Sequence, residues 1–366
     1  MKRAGKVLAY GALGLVSVLA VGISLTIGWR PFIGPRARPL TGRKFDATPE
    51  CLARGKYLVE AVGGCMVCHS PREWTKHDAP IVSGMEGAGQ LIDLKGLPGR
   101  VYANNLTPDP EAGIGNWSDD ALARGIREGI GHDGRALFPM MPYQLFSQLS
   151  DEDVASIIVF LRSLAPVHHL MPRTEINLPV NYLIRSVPKP ITQPVPSPDL
   201  SDPVKRGRYL ATIAGCSDCH TPQRQGRPLP GLRYGGGQIF EGPWGRVASA
   251  NLTPDPSGIS YYDEAQFVRT IRTGYVGARE LCQIMPWYVF RNMTDDDLKA
   301  ILSYLRTLPP VKHRVDNTEP PTYCPICKTV HGGGNLNYAN PAVSAGGGAA
   351  PAVHRQGILP HLMGRG

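Results

Sequence analysis

Two short cysteine and histidine motifs carry the clearest chemistry in the sequence. The pattern C-x-x-C-H occurs as CMVCH at 65–69 and again as CSDCH at 216–220. Two thiols one helical turn apart can form thioethers with the two vinyl groups on one porphyrin edge, and the adjacent imidazole can then ligate the iron. A zinc knuckle or a redox disulfide is the alternative for a single copy. We predict two covalently bound haem c groups, attached through Cys65, Cys68, Cys216 and Cys219, with His69 and His220 as proximal iron ligands.

A methionine followed by proline occurs at the same place in both halves of the chain and offers a second ligand to each iron. Met141 precedes Pro142, and Met285 precedes Pro286. Proline holds the preceding residue in extended conformation, which suits a loop that presents a thioether at a fixed height. The neighbouring Met140 lacks the proline, so we predict Met141 and Met285 as the distal ligands. Histidine and methionine together saturate the iron, which favours electron transfer over the activation of oxygen or peroxide.

These motifs belong to two copies of one unit, each roughly 110 residues long. The segment R-G-x-Y-L precedes each cysteine pair, at 54–58 and 206–210, and N-L-T-P-D-P follows it, at 105–110 and 251–256. This repetition strengthens the interpretation of each C-x-x-C-H as a haem-attachment motif, because a chance occurrence would not have the same flanking sequences twice. The sequence therefore predicts a duplicated domain.

Each unit ends in a segment with the signals of a capped helix. Ser150 and Thr294 each stand before a run of acids and an apolar stretch, as at a helix N-terminus. In the first unit, the apolar spacing predicts helices over about 49–62, 119–128 and 151–164. This is the helical plan of a class I cytochrome c domain. The predicted fold class is thus mainly α, with two such domains in tandem after an N-terminal transmembrane helix.

The N-terminal stretch 7–29 contains 23 residues without a charge. At 1.5 Å per residue, one helix of this length crosses a hydrocarbon core of about 30 Å. A cleaved signal peptide is the alternative, although its apolar region is usually shorter. Lys2, Arg3 and Lys6 favour a cytoplasmic N-terminus. Since attachment of haem to C-x-x-C-H takes place outside the cytoplasm, we expect a single-pass inner-membrane protein with its haem domains in the periplasm.

The net charge of +9 does not indicate nucleic-acid binding. Eight of the basic residues lie within the first 44 positions, and the rest of the chain is nearly neutral.

The predicted organisation is an anchor at 1–30, a basic linker at 31–47, domain 1 at 48–171, a proline-rich linker at 172–203, domain 2 at 204–313 and a Gly/Pro-rich tail at 314–366. The proline-rich linker should form a semi-rigid strap across the domains.

Four cysteines lie outside the attachment motifs: Cys51, Cys282, Cys324 and Cys327. In an oxidising compartment they could pair in three ways. For Cys324 and Cys327 we expect a disulfide or a structural metal clip rather than a third haem, because only 39 residues follow them.

Other polar residues have weaker signals. Five further histidines, at 77, 132, 168, 169 and 313, are interpreted as surface or loop residues with no counterpart in the other unit, and His132 is the one of them that we expect to approach a haem. Asn105 and Asn251 should begin the turns that their Thr-Pro-Asp-Pro tails predict, with contact to a haem propionate as an alternative.

The motifs together resemble a known family. The chain resembles the membrane-bound cytochrome c subunits of bacterial gluconate and alcohol dehydrogenases in a combination of motifs. These are R-G-x-Y-L before C-x-x-C-H, N-L-T-P-D-P with G-I-G-N-W-S, the F-P-x-M-P-Y loop, and L-S-D-E-D-V before a helix ending in L-R-S-L. The resemblance covers roughly residues 48–313. It implies a protein that takes electrons from a dehydrogenase subunit and passes them to quinone or an oxidase, although those subunits look like strings of three haem domains.

The expected function is therefore an electron relay without substrate chemistry of its own. Its partners would be the inner membrane, a dehydrogenase or respiratory-complex subunit, and a downstream acceptor that is a quinone, an oxidase or another cytochrome. Two alternatives stay open: a dihaem enzyme, either a peroxidase or a dehydrogenase of sulfur compounds, and a cytochrome subunit of a larger respiratory or photosynthetic assembly.

Overall fold

Helices dominate the computed structural model, which describes residues 2–94, 96–224, 226–242, 245–315, 317, 322–323 and 330–331. Before domain 1 come α1 (Lys2–Leu25) and α2 (Arg30–Ile33). Domain 1 contains α3 (Pro49–Tyr57), α4 (Cys65–His69), α5 (Asp119–Glu128), α6 (Tyr143–Phe146) and α7 (Asp151–Arg162). After α8 (Val180–Leu183), domain 2 repeats the order with α9 (Pro203–Ile213), α10 (Cys216–His220), α11 (Glu264–Thr273), α12 (Trp287–Phe290) and α13 (Asp295–Arg306). The predicted mainly α class with two tandem domains is confirmed.

Short antiparallel strand pairs lie in the loops between these helices and after α13. The pairs are β1 (Gln90–Leu91) with β3 (Tyr102–Ala103), β2 (Gly99–Arg100) with β4 (Glu175–Ile176), β5 (Gln223–Arg224) with β6 (Arg227–Pro228), β7 (Ile239–Gly242) with β8 (Gly245–Ala248), β9 (Tyr275–Val276) with β10 (Arg279–Glu280), and β11 (Thr322–Tyr323) with β12 (Val330–His331). The β7–β8 ladder starts with Ile239 opposite Ala248. None of these two-stranded pairs makes a sheet that could form a core.

The core of each domain is the crossing of its first and last helices, α3 with α7 and α9 with α13. The glycine of R-G-x-Y-L lies at each crossing. A Cβ on Gly55 would come 1.8 Å from the carbonyl oxygen of Ser156, and a Cβ on Gly207 would come 1.8 Å from that of Ala300. Only glycine allows the helix backbones to approach this closely.

A single-residue insertion explains the main difference between the first helices of the two domains. Cys65 comes eight positions after Tyr57, whereas Cys216 comes seven positions after Tyr209. In domain 1 the extra residue is absorbed by a π-helical segment, Leu58–Val62, but α9 of domain 2 stays α-helical. The predicted helix at 49–62 is therefore an α-helix followed by a π-helical turn, the usual way in which an insertion is accommodated inside a helix.

The helix α1 has the properties expected of a membrane span. Its stretch Gly5–Leu25 is long and apolar enough to cross a bilayer and is not buried against the rest of the chain, although an N-terminal signal sequence has the same properties. The basic segment that follows docks on α5. Arg38 forms ion pairs with Asp120 (2.8 Å) and Glu128 (2.7 Å), and the amide of Thr41 donates to Asp120 (2.6 Å).

The proline-rich linker makes several of its described contacts with domain 1 and with the segment after α1. Its strand β4 pairs with β2, and the amide of Asp151 donates to the carbonyl of Val195 (2.9 Å). Arg185 donates to the carbonyl of Pro31 (3.1 Å), next to the end of α1. These contacts connect the segment after α1 to domain 1.

Candidate functional site

The two C-x-x-C-H motifs form the short helices α4 and α10. Each helix begins after a glycine in the left-handed region, Gly64 with φ +59° and Gly215 with φ +69°. Burial raises the pKa of the first thiol in each motif, Cys65 and Cys216, to about 12. The turn therefore holds each of these thiols protonated in apolar surroundings, where a thioether would bury no charge.

Each motif histidine is held by its Nδ1 atom. His69 Nδ1–H donates to the carbonyl oxygen of Asn104 (2.6 Å), and His220 Nδ1–H donates to that of Ala250 (2.7 Å). Burial lowers the pKa of both imidazoles, so the neutral form is favoured. A neutral imidazole whose Nδ1 carries the proton has its Nε2 lone pair free, as a proximal iron ligand requires.

The two Met-Pro loops have the same backbone conformation. The amide of Met141 donates to the carbonyl of Phe138 (3.1 Å), and the amide of Met285 donates to that of Cys282 (2.9 Å). Pro142 has φ −81° and ψ 47°, and Pro286 has φ −79° and ψ 51°. Both methionines are half-buried against the hydrophobic core. The structure thus places the two thioethers in equivalent loops, directly before α6 and α12.

The aromatic residue after each Met-Pro pair has a buried polar atom that finds no hydrogen-bond partner among the described residues. In domain 1 this atom is Tyr143 Oη, and in domain 2 it is Trp287 Nε1. Both rings lie against a glycine in the left-handed region: a Cβ on Gly129 or on Gly274 would come 2.5 Å from the ring. A buried donor without an acceptor is costly. Two of them at equivalent places beside the Met-Pro loops fit a cofactor that brings its own acceptors, such as the carboxylates of haem.

The N-L-T-P-D-P motif is a structural network. Asn251 is 3% exposed, and its Nδ2 donates to the carbonyls of Val311 (2.8 Å) and His313 (3.2 Å). Its Oδ1 accepts from the amide (2.9 Å) and the hydroxyl (2.8 Å) of Thr253. Asn105 makes the equivalent four bonds in domain 1. Both asparagines therefore tie the haem-side loop to the segment after the last helix, and their side chains are occupied without a propionate.

The histidines in that last segment correct one of our predictions. His169 Nδ1 hydrogen-bonds the carbonyl of Ala88 (2.9 Å), and His313 Nδ1 hydrogen-bonds that of Gly235 (2.9 Å). Ala88 and Gly235 are each followed by a glycine, and the amides of these two glycines donate to the carbonyls of the motif histidines, His69 and His220. The interpretation of His169 and His313 as residues without counterparts was wrong: they are equivalent, and His313 is buried.

The other predicted residues have the following places. His132 packs on Trp117 with ring centroids 4.3 Å apart. His77 reaches domain 2, where it pairs with Glu280 and lies 4.8 Å from the Trp287 ring. Cys51 and Cys282 are free thiols, whereas Cys324 and Cys327 lie outside the described residues.

The two attachment motifs lie near each other across the domain boundary. The pKa of Cys219 is raised to about 12, mainly by burial and to a lesser extent by Asp218 and by the thiol of Cys68 in the other domain. Tyr288 of domain 2 also lies near Cys68, and the guanidinium of Arg72 stands 4.9 Å from the Tyr288 ring centroid. The second thiols of the two motifs therefore lie near each other, which the sequence did not indicate.

Comparison with known proteins gives matches over both domains. The sequence profile of the family "Cytochrome c" matches residues 52–165 and 204–309. The cytochrome c subunit of a quinone-dependent alcohol dehydrogenase from Gluconobacter oxydans is 29% identical over 73% of this chain and 56% of its own length. The gluconate 2-dehydrogenase cytochrome c subunit of Pantoea cypripedii is 30% identical over 72% and 60%.

A shorter relative, a "Diheme cytochrome c-type" protein of Cereibacter sphaeroides, is 29% identical over 71% of this chain and 86% of its own length. The chain thus spans little more than half of the two dehydrogenase subunits, but most of the dihaem protein.

Proposed function

This chain belongs to the cytochrome c family, and we propose that it is a membrane-tethered electron relay that carries one haem c in each of its two domains. The observation that best supports the relay is that one donor set is built twice. In each domain a C-x-x-C-H helix, an imidazole with its Nδ1–H bound to a carbonyl, and a Met-Pro loop of the same backbone conformation occur together. A bound haem supplies a reversible one-electron iron couple.

The protein's own residues hold and tune that couple. Backbone carbonyls fix each proximal imidazole, and the glycine–aromatic contact holds the loop that carries each methionine. Tyr143 Oη and Trp287 Nε1 would donate to haem carboxylates. The proposed haem-binding residues are Cys65, Cys68, His69 and Met141 in domain 1, and Cys216, Cys219, His220 and Met285 in domain 2.

Two features support a membrane tether, and the attachment of haem c outside the cytoplasm supports a place at the periplasmic face of the inner membrane. The helix α1 is long enough to span the bilayer, and the segment after it is bound to domain 1 through Arg38 and through the contact of Arg185 with Pro31. Because the relatives are named as subunits of alcohol and gluconate dehydrogenases, we propose a dehydrogenase subunit as electron donor. The acceptor would be a quinone, an oxidase or another cytochrome.

Haem content tests the core of this proposal. The purified full chain should contain two haems per chain, Cys68→Ala and Cys219→Ala should each impair attachment of one haem, and the double variant should be apo-protein. Both irons should be low-spin and six-coordinate, and the reduced protein should bind carbon monoxide poorly. A consistent value of one or three haems per chain would overturn the proposal.

A second measurement separates the relay from an enzyme. A relay with two saturated irons should consume peroxide at a negligible rate. A high-spin haem in the unaltered protein, together with rapid peroxide consumption, would favour the dihaem peroxidase instead. Mass spectrometry of the mature N-terminus tests the anchor, and purification through the membrane helix tests whether a dehydrogenase subunit accompanies the chain.

A further inference from the structure

The tyrosines of the two R-G-x-Y-L motifs form reciprocal hydrogen bonds between the domains. Tyr209 of domain 2 donates to Asp153 Oδ2 of domain 1 (2.7 Å) and accepts from the amide of Ser150 (3.1 Å). Tyr57 of domain 1 donates to Oδ2 of Asp297 in domain 2 and accepts from the amide of Thr294 (3.1 Å). We call these two sets of bonds the tyrosine clasp.

The arginine of the same motif acts within its own domain. Arg54 forms a bidentate ion pair with Asp153, with both distances 2.8 Å. Arg206 pairs with Asp297 in domain 2. Each aspartate thus joins the first and last helices of its own domain and also accepts from the other domain's tyrosine. The side chains of Asp153 and Asp297 are 9% and 5% exposed, so these charges are well shielded from water.

Because the carboxylates of Asp153 and Asp297 are shielded from water, the bonds of the tyrosine clasp differ from those of an exposed surface contact. A buried carboxylate retains its charge only when its hydrogen bonds are made, and removing one partner leaves a costly unsatisfied group. Burial raises the pKa of Tyr57 to about 12, so its hydroxyl remains a donor at any physiological pH. The bonds to the amides of Ser150 and Thr294 also fall at the N-termini of α7 and α13, where the helix leaves backbone donors unpaired.

The clasp lies directly next to the haem-attachment motifs. Tyr57 is separated from Cys65 only by the π-helical segment and a short turn, and Tyr209 lies in α9, which leads into α10. The helix α6, which follows the Met141 loop, packs against α9 of domain 2, and α12, which follows the Met285 loop, packs against the π-helical segment of domain 1. The clasp therefore joins the two domains close to their attachment motifs and constrains how these motifs are placed relative to each other.

We propose that Tyr57 and Tyr209 are positioning residues for electron transfer between the two haems: the clasp holds the two attachment edges at a fixed separation. The inference rests on the proposed function, since it requires a haem in each domain. Among the described residues, the hydrogen bonds of the two tyrosine hydroxyls go to Asp153, Asp297 and the amides of Ser150 and Thr294 and not to a predicted iron ligand, so we expect their effect to act through the distance between the domains.

The test uses the haem-loaded full chain with Tyr57→Phe, Tyr209→Phe and the double substitution. Phenylalanine keeps the ring and removes only the hydroxyl. Each lost bond to a charged acceptor shifts the equilibrium between docked and separated domains by about tenfold, and the double variant by about a hundredfold. Pulsed electron paramagnetic resonance of the oxidised protein should show a broader and longer iron–iron distance distribution in the double variant.

The rate of electron exchange between the haems is the functional readout. Each protein is prepared with Met285→His, so that the second haem has its own absorption spectrum, and an electron is injected by a light-activated reductant. The double tyrosine variant should exchange electrons more slowly than its Met285→His parent, with the two midpoint potentials unchanged. Tyr102→Phe, which removes a hydroxyl within domain 1, is the matched control and should have no effect.

The outcomes are distinct. An unchanged distance distribution and an unchanged exchange rate in the double variant would overturn the clasp and leave the proposed relay intact. Altered midpoint potentials would also overturn it, because the tyrosines would then act on the irons rather than on their separation. A parent protein without two haems, or without exchange between them, would instead refute the proposed function.

Discussion

The substitution Asn251→Ala tests whether the N-L-T-P-D-P motif supports the fold or contacts the haem. Asn251 is almost fully buried, and its amide group makes hydrogen bonds to the segment after α13 and to Thr253. Alanine leaves the carbonyl of Val311 and the amide of Thr253 without these partners in a water-poor site. At about 1.5–2 kcal/mol for each unsatisfied buried group, the expected loss is about 3–4 kcal/mol in the free energy of unfolding of domain 2.

The midpoint potential of the second haem should hardly change. Since both ends of the Asn251 side chain are occupied by protein groups, its loss removes no direct contact with the haem. We expect a shift below about 30 mV, half of the 59 mV that corresponds to a tenfold change for a one-electron couple. A residue that binds a propionate would instead shift the potential and affect stability less.

The assay is guanidinium unfolding of the haem-loaded chain, followed both by circular dichroism and by the absorption of each haem. Two domains can unfold in separate transitions, so the two signals must be analysed together. Asn105→Ala is the matched variant and should destabilise domain 1 by a similar amount. An unfolding midpoint of Asn251→Ala equal to that of the parent, or a large potential shift without loss of stability, would refute this reasoning.

Three further predictions test the packing, the ligands and the N-terminal segment. Gly55→Ala should destabilise domain 1 by more than about 3 kcal/mol in thermal unfolding, because the new Cβ would come 1.8 Å from a backbone oxygen of the last helix. Met285→Ala should open the second haem to carbon monoxide and leave the first unchanged, and Met140→Ala should alter the first haem's spectrum much less than Met141→Ala. Burial alone would raise the pKa of Asp120, but the bonds of its carboxylate to Arg38 and Thr41 lower that pKa overall. The ionised Asp120 should therefore stabilise the fold above the ordinary carboxyl pKa of about 4, and this stabilisation should be lost as the pH falls below that value. Unfolding of Asp120→Asn should lack that part of the pH dependence.

The sequence alone determined the features whose causes are local along the chain. A C-x-x-C-H motif needs only one helical turn to align its thiols and imidazole, and a hydroxyl N-cap needs only the next three residues. Ser150 and Thr294 accept from the amides three residues later, as predicted. The duplication strengthened the predictions of the motifs, because each motif could be compared with its copy in the other domain. The class of fold and the extents of α5 and α7 could therefore be predicted closely.

Variable loops hid the equivalence of His169 and His313. The loops between the attachment motif and the last helix differ in length, so counting from His69 and His220 gives different separations. Counting from the capped last helix would have found it, since each histidine follows the N-cap by 19 positions. The equal spacing was therefore present in the sequence, but it shows only when the two histidines are counted from the N-cap of the last helix instead of from the attachment motif.

Only the tertiary structure decided what the two tyrosines do. R-G-x-Y-L was visible as a repeat, but a hydrogen bond between Tyr57 and Asp297 joins residues 240 positions apart in different domains. Such a contact depends on how two folded surfaces meet, and no spacing along the chain encodes it. The same applies to the nearness of Cys68 and Cys219. The sequence predicts which residues could hold two haems, because each set of motifs occurs twice along the chain, whereas the arrangement of the two sites relative to each other follows from the packing of one domain on the other.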